Sequence, residues 1–168
     1  MPQPAIRAVD EQWLIEAIEL SRKCPQSDSS FAVGAVIVDQ QGQRVVDGYS
    51  LELGPRWHAE EVAFEKAARL GLQLAGCTLY SSLEPCSVRL SGKIPCVELT
   101  KAAGITRVVF ALHEPLIFVN CQGESELRDS GITATSIPEL GHLVKAINSH
   151  LYGRDGSSPP LESSPGEI

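Results

Sequence analysis

The sequence predicts an α/β domain with three layers, in which helices cover both faces of a central mixed sheet of about five strands. Two observations lead to this prediction. Two β-branched runs separated by a short turn indicate a hairpin, and the segments after them alternate between strand-like and helix-like patterns, as expected when helical crossovers join parallel strands. The length of 168 residues, with 43% apolar and 21% charged residues, suits one globular domain with a buried core.

The N-terminal half of the chain is expected to form a helix, the hairpin and a second helix. Apolar residues recur at helical spacing over about residues 11–23, and Asp10 is a suitable N-cap for this helix. Dense β-branched runs over 31–39 and around 44–49 indicate the two hairpin strands, because the segment between them is polar and contains glycine. Apolar side chains at helical spacing over 58–70 predict the second helix.

The C-terminal half continues the alternation. An apolar run over 77–83 reads as a buried strand, and residues 95–103 read as a helix that Gly104 ends, since glycine is the usual residue after a helix C-terminus. The run ITRVVFAL over 105–112 predicts the next strand. The remaining expected elements are a helix over 124–130, a strand over 132–137 and a helix over 138–152.

Composition and charge indicate the bounds of the folded domain, its cellular location and the partners that it is not expected to bind. We expect a folded domain over residues 8–152, and a disordered tail over 153–168, where Ser, Pro, Gly and acidic residues dominate. No apolar run reaches the ~20 residues of a spanning helix and the N-terminus lacks a signal-peptide pattern, so we expect a cytoplasmic protein without a membrane partner. A net charge of -7 argues against nucleic acid as a partner, because binding phosphates requires a basic face.

Four residues indicate a catalytic zinc site. His58 lies at a predicted helix start, and Cys86 and Cys96 each follow a proline, with nine residues between them. Two thiolates and one neutral imidazole balance the charge of Zn²⁺, and three protein ligands leave a position for water, as in catalytic sites. Glu60 is the candidate general base. Taken alone, His58 would be an ordinary polar residue and Glu60 a carboxylate that stabilises the helix dipole, but the order of the four residues favours the metal site.

These motifs resemble a known group of enzymes. His58-Ala59-Glu60 followed by Pro85-Cys86 and a later cysteine is similar to the zinc-dependent deaminases that act on nucleobases. The segments LEPCS and IPC and the wide separation of the two cysteines resemble, within that superfamily, the pyrimidine deaminase domain of riboflavin biosynthesis.

The resemblance implies a fold and an activity. It implies a cytidine-deaminase-like fold, one Zn²⁺ per chain, a homodimer or homotetramer, and hydrolytic removal of an exocyclic amine from a phosphoribosylaminopyrimidine or an analogue. In the implied mechanism, Glu60 accepts a proton from a zinc-activated water and returns it as ammonia leaves. Bifunctional members also carry a reductase domain, for which we expect no room in 168 residues.

Five residues are candidates for substrate binding. Ser30 and Phe31 stand where that family has Asn-Pro, and their segment resembles cytidine deaminases; Phe31 could stack on a base, with a core position as the alternative. Arg89 and Lys93 lie between the two cysteines and could bind a substrate phosphate, with a solvated loop as the alternative. Glu114 replaces the Asp of an Asp-Pro-Asn-Pro segment in the family.

The departures from the family pattern leave the substrate open. One alternative is a cytosine, cytidine or dCMP-type nucleoside or nucleotide. Another, from a different functional class, is a non-catalytic zinc-stabilised binding module. The presence of Glu60 argues against the module, because a domain without activity would not need this carboxylate.

Overall fold

The structure is a computed structural model, and it describes residues 3–113, 115 and 121–152. The strands are β1 (Gly34–Val38), β2 (Arg44–Tyr49), β3 (Thr78–Leu83), β4 (Arg107–Leu112) and β5 (Thr133–Ser136). The α-helices are α1 (Pro4–Leu20), α2 (Ala59–Arg69), α3 (Cys96–Ala102), α4 (Gly123–Asp129) and α5 (Gly141–Ile147). The predicted tail over 153–168 lies outside the described residues.

The five strands form one sheet in the order β2-β1-β3-β4-β5. β1 pairs antiparallel with both β2 and β3, whereas β3, β4 and β5 run parallel. The mixed sheet that the sequence predicted is therefore confirmed. Because β3 and β4 are parallel, the segments that follow them leave the sheet at the same edge, where α/β proteins commonly place their ligands.

Helices cover both faces of the sheet. One face packs against α1 and α5 through a cluster that includes Leu14, Ile18 and Val144. The other face packs against α2, α3 and α4 through a cluster that includes Val97 and Leu127. β1 is buried on both faces, which explains why its sequence is a continuous apolar run instead of an alternating one.

Glycine in β2 allows α2 to lie directly on the sheet. A Cβ atom at Gly48 would be 2.5 Å from the carbonyl oxygen of Ala59 and 2.8 Å from the amide nitrogen of Ala63. Any larger residue would push the first turns of α2 away from β2. This close contact fixes the start of α2, the element that carries Glu60.

Two local predictions were wrong. The first helix begins at Pro4, because proline suits the first helical turn, and Asp10 is not an N-cap but lies buried inside α1. The Asp10 carboxylate accepts hydrogen bonds from Tyr80 Oη at 2.8 Å and Arg107 Nη1 at 2.7 Å, so its role is to tie α1 to the sheet. The helix expected over 138–152 is divided into α5 and two short 3-10 turns.

Across residues 3–113, 115 and 121–152, no helix combines the length and the apolar character needed to cross a membrane.

Candidate metal centre

The three predicted donor residues come from two loop-to-helix junctions and from the segment after β3, and they converge at the edge of the sheet. His58 is the extended residue directly before α2, and Cys96 is the first residue of α3, after Pro95. Cys86 follows the end of β3. All three side chains are buried, and Val97 donates its amide hydrogen to the Cys86 carbonyl at 3.1 Å, which holds the two cysteine segments together.

The donor atoms have the spacing that a tetrahedral zinc ion requires. His58 Nδ1 lies 3.5 Å from Cys86 Sγ and 3.4 Å from Cys96 Sγ, and the ligand atoms of the three residues all lie within 4.8 Å of one another. Zinc–sulfur bonds of about 2.3 Å and zinc–nitrogen bonds of about 2.0 Å at tetrahedral angles would separate nitrogen and sulfur by roughly 3.6 Å. The cluster therefore fits zinc.

Protonation in the cluster also favours a cation. Burial lowers the pKa of His58 from 6.5 to about 3, and the charges of Arg89 and Lys93 add to this effect, so the imidazole is neutral near pH 7. The hydrogen bond with Cys86 and burial raise the pKa of the Cys96 thiol well above its ordinary value. Two adjacent buried sulfurs can both be thiolates only if a positive charge compensates them, and a divalent cation supplies that charge.

The candidate base is buried beside the donors. Ser81 Oγ donates a hydrogen bond to Glu60 Oε1 at 2.8 Å, and both residues are almost fully buried. Burial raises the pKa of Glu60, as expected for a group that must accept a proton near neutral pH. A small pocket opens onto the site. It is lined by Val33, Ser50, His58, Ala59, Glu60, Leu83, Glu84 and Cys86.

Among the described residues that line this pocket, neither Ser30 nor Phe31 is present. Phe31 is buried in the core, where its ring centroid lies 6.2 Å from that of Tyr152. Ser30 is half-buried in the segment before β1. Glu114 lies outside the described residues.

Arg89 and Lys93 are also held away from the pocket. The Arg89 side chain has 0% exposure and donates to Glu61 Oε2 at 2.9 Å, while Lys93 Nζ lies 3.0 Å from Glu61 Oε1. Lys93 Nζ also lies 4.8 Å from the centre of the Trp57 ring. A substrate phosphate could reach Arg89 only by displacing these contacts.

Sequence reasoning missed two residues at the site. Ser81 was missed because it lies in a strand that otherwise indicates only core packing. Two consecutive serines in the apolar run of β3 nevertheless indicate that at least one hydroxyl has a buried partner. Glu61 is not among the predicted site residues, because the helix dipole alone explains an acidic residue in a first helical turn. Its pairing with the loop between the cysteines is a tertiary contact that sequence spacing does not indicate.

Comparison with known proteins agrees with this geometry. Residues 7–112 match the family model of the cytidine and deoxycytidylate deaminase zinc-binding region. The chain is 43% identical over 124 residues to the diaminohydroxyphosphoribosylamino-pyrimidine deaminase of Schizosaccharomyces pombe, which covers 73% of this chain and 30% of that protein. It is 34% identical over 128 residues to the riboflavin biosynthesis protein RibD of Aquifex aeolicus, with 76% and 34% covered. The chain thus spans about a third of the length of these relatives.

Solved structures give the same result for the fold. A diaminohydroxyphosphoribosylaminopyrimidine deaminase and 5-amino-6-(5-phosphoribosylamino)uracil reductase from Thermotoga maritima matches 93% of this chain and 50% of its own, with a TM-score of 0.75 and 26% identity. The Rib2 deaminase of Aspergillus oryzae, as a C-terminal deletion mutant, matches 84% of this chain and 91% of its own, with a TM-score of 0.74 and 25% identity. The predicted three-layer fold and the predicted resemblance are confirmed. The chain belongs to the cytidine and deoxycytidylate deaminase family, and its three donor residues lie inside the matched zinc-binding region.

Proposed function

We propose that this chain is a zinc-dependent hydrolytic deaminase that converts an exocyclic amine of a phosphoribosylaminopyrimidine to a carbonyl and releases ammonia. The observation that carries the proposal is the buried carboxyl of Glu60 beside a His-Cys-Cys cluster with zinc spacing. The substrate class comes from the similarity to the deaminase of Schizosaccharomyces pombe, whose name specifies such a pyrimidine.

Each site residue has a defined role in this proposal. One Zn²⁺ per chain, held by His58 Nδ1 and the sulfurs of Cys86 and Cys96, would supply a water of lowered pKa as the nucleophile. Glu60 would accept a proton from the attacking water and donate it to the amine, which leaves as ammonia. Because burial raises the pKa of Glu60, the carboxyl can hold the proton between the two transfers. Ser81 keeps the carboxyl oriented through its hydrogen bond to Oε1.

The second candidate is a cytidine-type deaminase. The segment 29–35 resembles cytidine deaminases, and it favours this candidate because Val33 within it lines the pocket. The two candidates differ in the heterocycle that is deaminated, so each heterocycle is assayed with and without a phosphate.

Ammonia release from matched substrates tests the proposal. The zinc-loaded chain is assayed with a phosphoribosyl diaminopyrimidinone, its dephosphorylated form, cytidine and dCMP, and Glu60→Gln serves as the blank with equal zinc content. We expect turnover of the phosphorylated aminopyrimidine and at least a hundredfold lower activity in the blank, in line with the roughly 10²–10⁴-fold contribution of a general acid–base group. Turnover of cytidine or dCMP alone would favour the second candidate. Equal ammonia release by the Glu60→Gln variant would overturn both.

We further propose that the chain acts as a homodimer or homotetramer. Three large apolar side chains between the two cysteines support this proposal, since Val88, Leu90 and Ile94 are 46%, 51% and 60% exposed. Light scattering at micromolar concentration measures the mass directly. A particle of 18.1 kDa would contradict the proposal.

A further inference from the structure

The carboxylate of Glu61 joins two loops that carry the donor residues. Glu61 lies in the first turn of α2 and is 13% exposed, while Arg89 and Lys93 reach it from the loop between the cysteines. Arg89 Nη1 contacts Oε2 at 2.9 Å and Lys93 Nζ contacts Oε1 at 3.0 Å, so one carboxylate orients both cations.

The Arg89 guanidinium contacts the backbone next to two of the donors. Its Nη2 donates to the carbonyl of Arg56 at 2.7 Å, and its Nη1 contacts the carbonyl of Ile94 at 3.4 Å. Arg56 is two residues before His58, and Ile94 is two residues before Cys96. Arg89 itself follows Cys86 by three residues. One buried side chain therefore contacts or belongs to all three segments that supply metal ligands.

The backbone at Arg56 shows why this contact matters. Arg56 has a φ of 65°, a left-handed conformation that side chains other than glycine rarely adopt. Its carbonyl accepts hydrogen bonds from Arg89 Nη2 and from Lys93 Nζ, the latter at 3.2 Å. The shorter bond comes from the buried guanidinium, which holds the unusual turn that delivers His58 to the cluster, whereas the longer bond comes from a partly exposed ammonium that water can replace.

The charge of Arg89 complements the sulfurs. Burial alone would lower the pKa of the guanidinium, but the negative charges of Cys96, Glu61 and Cys86 outweigh burial and raise it. The side chain is therefore a permanent cation whose charge favours negative charge on the cysteine sulfurs. Its planar group can bond acceptors in several directions at once, which an ammonium group at the same place cannot reproduce.

We propose that Arg89, oriented by Glu61, is a positioning residue that holds the three donor residues at the spacing a metal ion requires. The inference rests on the zinc site of the proposed function but not on its substrate. It assigns to Arg89 a role toward the metal in place of the phosphate contact that the sequence suggested. Lys93 shares Glu61 and the Arg56 carbonyl but is 35% exposed, so it serves as the matched control.

Zinc affinity of the full chain tests this role without reference to turnover. The zinc-loaded wild type, Arg89→Lys, Glu61→Gln and Lys93→Gln are titrated with a chromophoric chelator, and the cobalt-exchanged proteins are compared by visible absorption. We expect Arg89→Lys and Glu61→Gln to bind zinc about 10- to 100-fold more weakly and to alter the cobalt spectrum, as typical for groups that orient metal ligands. Lys93→Gln should stay within about twofold of the wild type.

The outcomes separate this inference from the proposed function. Wild-type zinc affinity and an unchanged cobalt spectrum in Arg89→Lys would overturn the positioning role, and a raised KM for the phosphorylated substrate in that variant would identify a substrate contact instead. If the wild type binds zinc but deaminates no pyrimidine, the proposed function fails while the affinity comparison still decides the role of Arg89. If Arg89→Lys does not fold, Glu61→Gln decides, because it keeps Arg89 and the size of residue 61 and removes only the charge that orients the guanidinium.

Discussion

Ser81 Oγ donates a hydrogen bond to Glu60 Oε1 at 2.8 Å inside the core. The contact joins the middle of β3 to the first turn of α2, so the carboxyl that we assign to proton transfer is oriented by the sheet as well as by its own helix. Neither residue belongs to the His58, Cys86 and Cys96 cluster. Loss of this hydrogen bond should therefore lower turnover more than it weakens metal binding.

Ser81→Ala should lower kcat by roughly 10- to 100-fold, the rate equivalent of about 1.5–3 kcal/mol for a hydrogen bond to a charged group. The KM and the zinc content should stay near their wild-type values, because the carboxyl is misoriented while the donor residues are untouched. Steady-state kinetics and metal analysis on the same preparation measure both quantities. Ser81→Thr, which keeps a hydroxyl, should recover most of the activity, and an unchanged kcat in Ser81→Ala would show that the bond has no catalytic role.

Cys86→Ala should lose zinc and activity together. Removing a ligand leaves only two protein donors, so we expect zinc affinity to fall by roughly 100-fold or more, beyond the 10- to 100-fold typical of groups outside the ligand set. Cys77→Ala is the control, because Cys77 is also buried but lies outside the metal cluster. Metal analysis after dialysis against a weak chelator separates the two variants. Zinc retention by Cys86→Ala would remove Cys86 from the ligand set.

The sequence was sufficient to predict the sheet and to identify three residues whose donor atoms lie together in the structure, but it did not predict the loop contacts. The hairpin and the helical crossovers leave few ways to assemble five strands. His58, Cys86 and Cys96 could be selected because histidine and cysteine are the residue types that most often bind zinc. The ion pair between Arg89 and Glu61 could not be predicted from the sequence, because residue spacing does not indicate the direction of a loop side chain. Asp10 was misassigned as an N-cap since a local rule ignores Arg107, which lies 97 residues further along the chain.

Asp10→Ala should destabilise the fold. The carboxylate is 3% exposed and pairs with Arg107, whose side chain is 24% exposed, so the variant leaves a partly buried cation without its partner. Breaking a buried pair typically costs about 3–5 kcal/mol, and partial exposure of Arg107 favours the lower end. Glu11→Ala, which removes one of the two exposed carboxylates that pair with Arg7, should cost less than about 1 kcal/mol. Urea unfolding measures the free energy of unfolding of the two variants. Equal losses of stability would contradict the role assigned to the buried pair of Asp10 and Arg107.

The buried imidazole of His58 should make the metal-free chain sensitive to acid. Burial lowers the pKa of His58 from 6.5 to about 3 in the folded state, and the charges of Arg89 and Lys93 contribute. Between these two values the unfolded chain binds a proton that the folded chain does not bind. The contribution of His58 to stability is therefore complete above pH 6.5 and declines as the pH falls toward 3, by about 1.4 kcal/mol per pH unit.

The slope of unfolding free energy against pH tests this linkage. Chelator-treated wild type and His58→Gln are unfolded with urea at several values between pH 6 and pH 4, a range in which both also titrate carboxylates. The difference between their slopes isolates the imidazole, and we expect the variant to lose less stability on acidification by about 1.4 kcal/mol per unit. His142→Gln, which removes an exposed histidine outside the cluster, is the control for the substitution itself. Equal slopes of unfolding free energy against pH for wild type and His58→Gln would show that the imidazole can be protonated in the folded, metal-free chain. The electrostatic argument that burial keeps His58 neutral before metal binds would then fail.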